Sequence, residues 1–150
     1  MIEYDFVVVG TGVSGLSFAL EASQHGSVAV ITKRASENSN TAWAQGGICC
    51  VADVEDSFES HIADTVDAGA GLCDHDVVKA IVESAPSAIE KMVNIGVQFD
   101  KNSSGKYELG KEGGHSQRRV LHSKDTTGKE ISEKLICSAK ESENIEIFEH

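Results

Sequence analysis

The apolar positions in the first third of the chain follow the spacing of a strand, a helix and a second strand. Phe6–Val9 is a short run rich in β-branched residues, which predicts a buried parallel strand. Small and apolar residues then recur with helical spacing from Leu16 to Ser23, and this pattern stops near Gly26. Val28–Thr32 predicts a second buried strand. This order predicts a βαβ unit with a right-handed crossover.

The rest of the chain predicts four more helices and three short strands, with an extended loop at 41–47, where two glycines are adjacent. The helices are expected to begin at a capping box in 56–59, at Asp74 or Asp76, near Ser84 or Ala85 with Pro86 in the first turn, and after 126–128. The short strands are expected at Tyr107–Leu109, Arg119–His122 and Ile145–Phe148. The fold class is therefore α/β, and 150 residues is the length of one domain.

Composition excludes several function classes. The chain has 13 Lys and Arg against 24 Asp and Glu, a net charge of −11, which disfavours nucleic acid. No apolar run has the length of a membrane span, so we do not expect a membrane protein. Two acids without a basic residue precede the first apolar run, so we do not expect a signal peptide. We therefore expect a cytoplasmic protein. The four cysteines, at 49, 50, 73 and 137, lack zinc-site spacing, so we expect reduced structural thiols and no metal.

A glycine-rich turn, Gly10-Thr11-Gly12-Val13-Ser14-Gly15, lies between the first strand and the first helix. In such a turn Gly10 permits the tight bend, Gly12 leaves room for a pyrophosphate, and Gly15 allows close packing of helix on strand. The helix N-terminus offers N–H groups and a positive dipole end to phosphates. The turn therefore predicts dinucleotide binding.

The second strand lacks the acidic residue that commonly binds the adenosine ribose and ends instead in Thr32-Lys33. Thr32 can bond a hydroxyl group, and Lys33 can contact phosphate or lie over the adenosine. Lys33 and Arg34 could equally hold a 2′-phosphate, so these residues alone leave NADP open as the ligand.

The stretch Asn40-Thr41-Ala42-Trp43-Ala44-Gln45-Gly46-Gly47 resembles a loop of the fumarate reductase and succinate dehydrogenase flavoprotein superfamily. In that superfamily the loop runs beside the pyrophosphate and isoalloxazine of FAD. The resemblance implies polar contacts from Thr41 and Gln45 and close approach of the backbone at Gly46 and Gly47. Without it, the stretch reads as a glycine-rich turn with Trp43 in the core.

The resemblance also bears on how FAD is held. In the membrane-bound respiratory members, the residue before the loop threonine is a histidine bonded covalently to FAD. Here that residue is Asn40, whose amide nitrogen is not a comparable nucleophile. We therefore expect noncovalent FAD.

A third block, from Glu112-Gly113-Gly114-His115 to His122 and on to Asp125–Gly128, together with Ala68–Asp74, narrows the resemblance to the L-aspartate oxidase family. It covers nearly the whole chain. It implies a Rossmann-like FAD-binding core with an incomplete parallel sheet, residues 1–150 being the N-terminal part of a discontinuous FAD-binding domain. The family's capping and C-terminal helical domains, and its principal acid–base arginine, would lie beyond this chain.

The activity that the resemblance implies is oxidation of L-aspartate to iminoaspartate, with oxygen or fumarate as acceptor, in NAD biosynthesis, with a possible functional link to quinolinate synthase. Glu112 inherits the role of orienting the substrate, since a carboxylate can pair with its ammonium group. His115 is either an acid–base group or a histidine satisfied by polar neighbours. Arg118 and Arg119 pair either with acids or with the flavin region.

Three other readings stay open. A soluble fumarate reductase would use the same cofactor on a different substrate, and an NADP-binding module would use the same turn. The chain alone could also be an inactive nucleotide-binding piece that self-associates through uncovered apolar faces.

Overall fold

The computed structural model describes residues 2–150, which form two compact units. The first unit comprises residues through Gln45, Ile95–Val97 and Gly128–His150, and the second comprises Gly46–Asn94 and Gln98–Thr127. The elements in chain order are β1 (Phe6–Val9), α1 (Val13–Ala22), β2 (Val28–Thr32), α2 (Asn40–Trp43), β3 (Ile48–Cys49), α3 (Phe58–Ala68), α4 (His75–Asn94), β4 (Leu109–Gly110), β5 (Val120–Leu121), α5 (Thr127–Glu141) and β6 (Ile145–Glu149). Chain length suggests one domain, but here the second unit is inserted into the sequence of the first.

The first unit is built on a parallel sheet of strand order β1-β2-β6. The register aligns Val8 with Val30 and Val30 with Ile147. Helix α1 packs against β1 and β2, so the predicted βαβ unit and the α/β class are confirmed.

Strand β1 is less buried than its apolar sequence predicts. Val8 is buried, but Val9 is 84% exposed and Val7 and Ile31 are exposed as well. Alternate residues of a strand point to opposite faces, and pairing of Val9 with Ile31 places these side chains on one face. A fully buried strand needs cover on both faces, and this face is open.

The second unit contains the packed helices α3 and α4 and a small antiparallel sheet of order β3-β5-β4. Helix α3 begins where the capping box predicts, but its cap is Ser57, whose Oγ accepts from the N–H of Ser60 at 3.1 Å. Asp56 does not cap this helix and instead binds Arg119. At the start of α4, the Asp74 carboxylate accepts from the N–H groups of Asp76 and Val77.

The prediction of two helices around Pro86 is wrong, because α4 runs unbroken through that residue. Val82 and Ile89 lie seven residues apart on the buried side of one helix, so tertiary packing continues across the proline. The hydroxyl groups of Ser84 and Ser87 donate to the carbonyls of Ile81 and Ser84, which supplies extra hydrogen bonds at the interrupted turn.

The prediction of an extended loop over 41–47 is also wrong in part. Asn40–Trp43 forms a single helical turn, α2, capped by the Ser39 Oγ, which accepts from the N–H of Ala42 at 3.3 Å. The sequence did not predict α2 because four residues are too few to show helical periodicity. The remaining predicted elements exist, with ends shifted by at most three residues. Across residues 2–150, no helix combines the length and apolarity needed to cross a bilayer.

Candidate functional site

The glycine turn joins β1 to α1 in the first unit. Gly10 has a φ of +106°, and its N–H donates to the carbonyl of Ile31 at 2.8 Å. A Cβ on Gly15 would lie 2.2 Å from the carbonyl oxygen of Gly10. The tight bend at Gly10 and the close packing at Gly15 are therefore confirmed.

Thr41 links the glycine turn to α2. Its Oγ1 accepts from the N–H of Val13 at 3.0 Å, so this first N–H of α1 is satisfied inside the protein. We expected the N–H groups at this end of α1 to be open, and Val13 is an exception. A Cβ on Gly12 would lie 3.4 Å from the Thr41 Oγ1, so a larger side chain there would fill the space between turn and loop.

Gly128, at the start of α5, holds the other side of this loop. Its N–H donates to the carbonyl of Ala44 at 2.9 Å, and a Cβ on it would lie 1.9 Å from the carbonyl oxygen of Thr41. In the sequence Gly128 belongs to the third motif block and to the stretch 126–128 after which a helix was predicted, but α5 begins at Thr127 and so includes Gly128. A glycine in the first turn of a helix was the available signal, because glycine is a poor helix former.

The other predicted cofactor-binding residues of the first unit differ in exposure. Thr11 and Thr32 are buried, whereas Lys33 and Asn40 are exposed. Trp43 is 76% exposed, so the alternative that places it in the core is wrong. Ser14, Ala44 and Gln45 are exposed as well.

Glu112 lies in the second unit, in the turn between β4 and β5. Its carboxylate is exposed, and Oε1 lies 4.0 Å from the position that a Cβ on Gly46 would take. A Cβ on Gly47 would lie 2.5 Å from the carbonyl oxygen of Leu121, so packing of β3 on β5 already requires glycine there. Within this unit, Glu112 and Gly46 are therefore neighbours.

Sequence reasoning missed an ion-pair network in the same unit. Arg119 is 0% exposed; its Nε and Nη2 donate to Asp56 at 2.9 and 2.8 Å, and its Nη1 donates to Asp64 at 2.7 Å. Of the two readings of Arg119, pairing with acids is confirmed. Hydrogen bonds from Ser116 and Arg119 hold the pKa of Asp64 below its usual range. The partners lie more than fifty residues apart in sequence, so no local pattern signals them.

His115 contacts two side chains of types that often serve in catalysis. Its Nε2 lies 3.6 Å from the Cys49 Sγ, and its ring meets that of His61 edge to face, with centroids 6.2 Å apart. Buried Nδ1 atoms of both histidines have no hydrogen-bond partner among the described residues. Burial raises the pKa of the Cys49 thiol and brings that of Cys50 to about 11. These thiols are therefore protonated near neutral pH, and no group of residues within 2–150 is arranged to hold a metal ion.

A parallel βαβ unit with a glycine turn at the helix N-terminus defines the class of dinucleotide-binding α/β proteins. The comparisons narrow this class. The FAD binding domain family model matches residues 5–150. The chain belongs to this family, whose cofactor is FAD.

Similar proteins agree with the family. L-aspartate oxidase, chloroplastic, from Oryza sativa subsp. japonica is 45% identical over 98% of this chain and 23% of its own length. L-aspartate oxidase from Acinetobacter baylyi is 43% identical over 98% of this chain and 27% of its own length. The solved E. coli quinol fumarate reductase superposes with a TM-score of 0.94 at 30% identity, over 99% of this chain and 26% of that one. The chain thus spans about a quarter of the length of the relatives it matches.

Proposed function

We propose that this chain is the N-terminal, FAD-binding part of an L-aspartate oxidase. The observation that carries the proposal is the 40–45% identity to proteins of that name along nearly the whole chain. The fumarate reductase alternative rests on a structural likeness at 30% identity and is the weaker of the two.

Two sets of residues would hold FAD. The turn Gly10–Gly15 would receive the pyrophosphate, with Thr32 and Lys33 toward the adenosine, and Asn40–Gly47 would run beside the flavin. The space beside Gly12, which a larger side chain would fill, and the exposed Asn40 and Gln45 support this assignment. FAD, when bound, would act as the acceptor of a hydride from the substrate Cα.

Glu112 would orient the substrate by pairing with its ammonium group. Its exposed carboxylate lies beside Gly46, one of the two glycines proposed to approach the flavin, which supports this role. Fumarate and succinate carry no ammonium group, so Glu112 would favour L-aspartate over them.

The product of the proposed reaction is iminoaspartate, and electrons would leave to oxygen or fumarate. The principal acid–base arginine would lie beyond residue 150, in a longer protein with a capping domain. We place the protein in the cytoplasm, where four free cysteines suit a reducing environment. A functional link to quinolinate synthase belongs to the same proposal.

The first test is a titration of the purified 150-residue chain with FAD, followed by flavin fluorescence, with NADP in parallel. We expect saturable FAD binding. Because Asn40 replaces the histidine that bonds covalently to FAD, we also expect the flavin to be released intact on denaturation. Flavin that stays attached after denaturation would contradict the noncovalent assignment, and NADP binding without FAD binding would overturn the cofactor assignment. Lys33→Ala should weaken FAD binding, whereas Lys101→Ala, an exposed control in the second unit, should not.

The second test uses the full-length protein that contains this chain and measures oxidation of L-aspartate. Glu112→Gln keeps the shape of the side chain and removes its charge. We expect the KM for L-aspartate to rise about tenfold or more, because a charge-assisted hydrogen bond is lost. Glu108→Gln, on an exposed neighbouring carboxylate, should leave the KM unchanged. A wild-type protein that reduces fumarate but does not oxidise L-aspartate would favour the fumarate reductase alternative.

A further inference from the structure

The turn that carries Glu112 has two adjacent glycines at its middle. Gly113 and Gly114 follow Glu112 directly, and a Cβ on Gly113 would meet nothing within 4 Å. Two adjacent glycines leave the backbone many conformations. A precisely placed Glu112 carboxylate therefore needs an anchor elsewhere in the turn.

Asp64, on α3, provides such an anchor. Its Oδ2 accepts from the N–H of Ser116 at 2.7 Å and from the Ser116 hydroxyl at 2.8 Å. The Nζ of Lys111 donates to the carbonyl of Ser116 at 2.8 Å, and the N–H of His115 donates to the carbonyl of Glu112 at 3.2 Å. Ser116 thus ties both ends of the turn to α3.

The Asp64 carboxylate is itself held in place by Arg119. Arg119 donates to the same Asp64 oxygen while two of its nitrogens bind Asp56, and its Nη2 also donates to the Ser60 hydroxyl at 3.0 Å. A buried guanidinium with this many partners has one orientation, so the Asp64 carboxylate has one as well.

We infer that Asp64 is a positioning residue for substrate recognition, which fixes the Glu112 carboxylate by clamping the Glu112–Ser116 turn to α3. This role rests on the proposed function of Glu112. Asp64 acts through Glu112 and does not itself touch the substrate.

The test uses Asp64→Asn in the full-length enzyme, with Asp67→Asn on the exposed side of the same helix as the matched control. Asp64→Asn should raise the KM for L-aspartate about tenfold, because a hydrogen bond to a charged group is weakened, with kcat changed less than about twofold. The inhibition constant of succinate, which has no ammonium group, should stay unchanged. Asp67→Asn should leave all three constants unchanged.

Combining the change with Glu112→Gln decides whether Asp64 acts through Glu112. In that background Asp64→Asn should add no further rise in KM, whereas two independent effects would multiply. Multiplying effects, or a succinate constant that rises alongside the KM, would overturn the inference. If Glu112→Gln raises the KM and Asp64→Asn does not, the inference fails and the proposed function stands. If the wild-type enzyme does not oxidise L-aspartate, both fail.

Two further measurements test the inference even if Asp64→Asn folds poorly. Ser116→Ala removes only a hydroxyl and should raise the KM about threefold, in line with a neutral hydrogen bond. Amide hydrogen exchange of residues 111–118 should accelerate in Asp64→Asn and Ser116→Ala, while α4 exchanges as in the wild type. Unchanged exchange in 111–118 would contradict the clamp independently of activity.

Discussion

At Gly128 the lack of a side chain lets the first turn of α5 reach the loop of α2. A Gly128→Ala methyl group would lie 1.9 Å from the carbonyl oxygen of Thr41 and 2.7 Å from that of Ala44. We expect this change to lower the free energy of unfolding by about 1–3 kcal/mol, the usual cost of overpacking. It should also weaken FAD binding, since the displaced loop carries proposed contacts.

Urea unfolding and FAD titration of the variant measure both effects. Gly113→Ala is the matched control, because a methyl group there has open space, and its unfolding free energy should change by less than about 0.5 kcal/mol. Equal losses in the two variants would contradict this account of Gly128.

His61 makes stability depend on pH. It is 7% exposed; burial first, and then the charge of Arg119, lower its pKa in the folded protein, with a smaller contribution from His115, while Asp56 and Asp64 oppose the shift. The unfolded chain therefore binds a proton at a higher pH than the folded chain. Stability should fall as the pH drops below about 6.5, the ordinary value for histidine, until the folded-state pKa is passed.

The pH dependence can be checked by chemical denaturation at pH values between 8 and 5. His61→Leu should remove part of the decline, because leucine does not titrate, whereas His25→Gln, at an exposed position, should leave the decline as in wild type. A decline of the same size in His61→Leu would assign the effect to other groups.

The residue-scale features of the site divide by how far apart their partners lie in sequence. Gly10 and Gly15 are only five residues apart, so their turn was predictable from spacing alone. Arg119 meets Asp56 and Asp64 only in the folded chain, and in the sequence it is one of two equivalent basic residues, Arg118 and Arg119. Such long-range pairs leave no periodic signal.

At the scale of elements, Pro86 offers a test of how α4 is stabilised. Proline inside a helix loses one backbone hydrogen bond and costs about 3 kcal/mol relative to alanine. Pro86→Ala should therefore raise the free energy of unfolding, by about 1–3 kcal/mol. Glu90→Ala, exposed on the same helix, should change it by less than about 0.5 kcal/mol. A loss of stability in Pro86→Ala would mean that packing against α3 depends on the proline.

The elements that sequence predicted well have strong local patterns. β1, α1 and β2 combine an apolar run, a glycine turn and helical spacing, and all three formed where expected. α2 and the continuous α4 depend on information outside the local pattern. α2 forms because Ser39 caps it and Thr41 makes a tertiary hydrogen bond. α4 stays continuous because its packing outweighs the effect of the proline. Propensity is a weak guide where packing decides.

At the scale of the whole molecule, the open face of the parallel sheet predicts self-association of the 150-residue chain. Val7, Val9 and Ile31 are all exposed on that face. Replacing Val9 and Ile31 together by threonine keeps the β-branched shape and lowers the apolar area, so it should shift the chain toward monomer. Val54→Thr, which alters an exposed valine of the second unit, is the control. Sedimentation at several concentrations measures the change, and a wild-type chain that stays monomeric throughout would contradict the prediction.

The strand order β1-β2-β6 also determines when during synthesis each edge of β2 can find its partner strand. β1 and β2 both leave the ribosome early, but the other edge of β2 has no partner until β6 is made, whose Ile145 aligns with Val28. The whole insertion that forms the second unit emerges in between. The side chain of Asn144, which donates to the carbonyl of Ser23, arrives equally late. A polypeptide released before residue 144 would therefore carry every proposed contact residue for FAD and still present β2 as an unpaired edge, the kind of edge that recruits other chains.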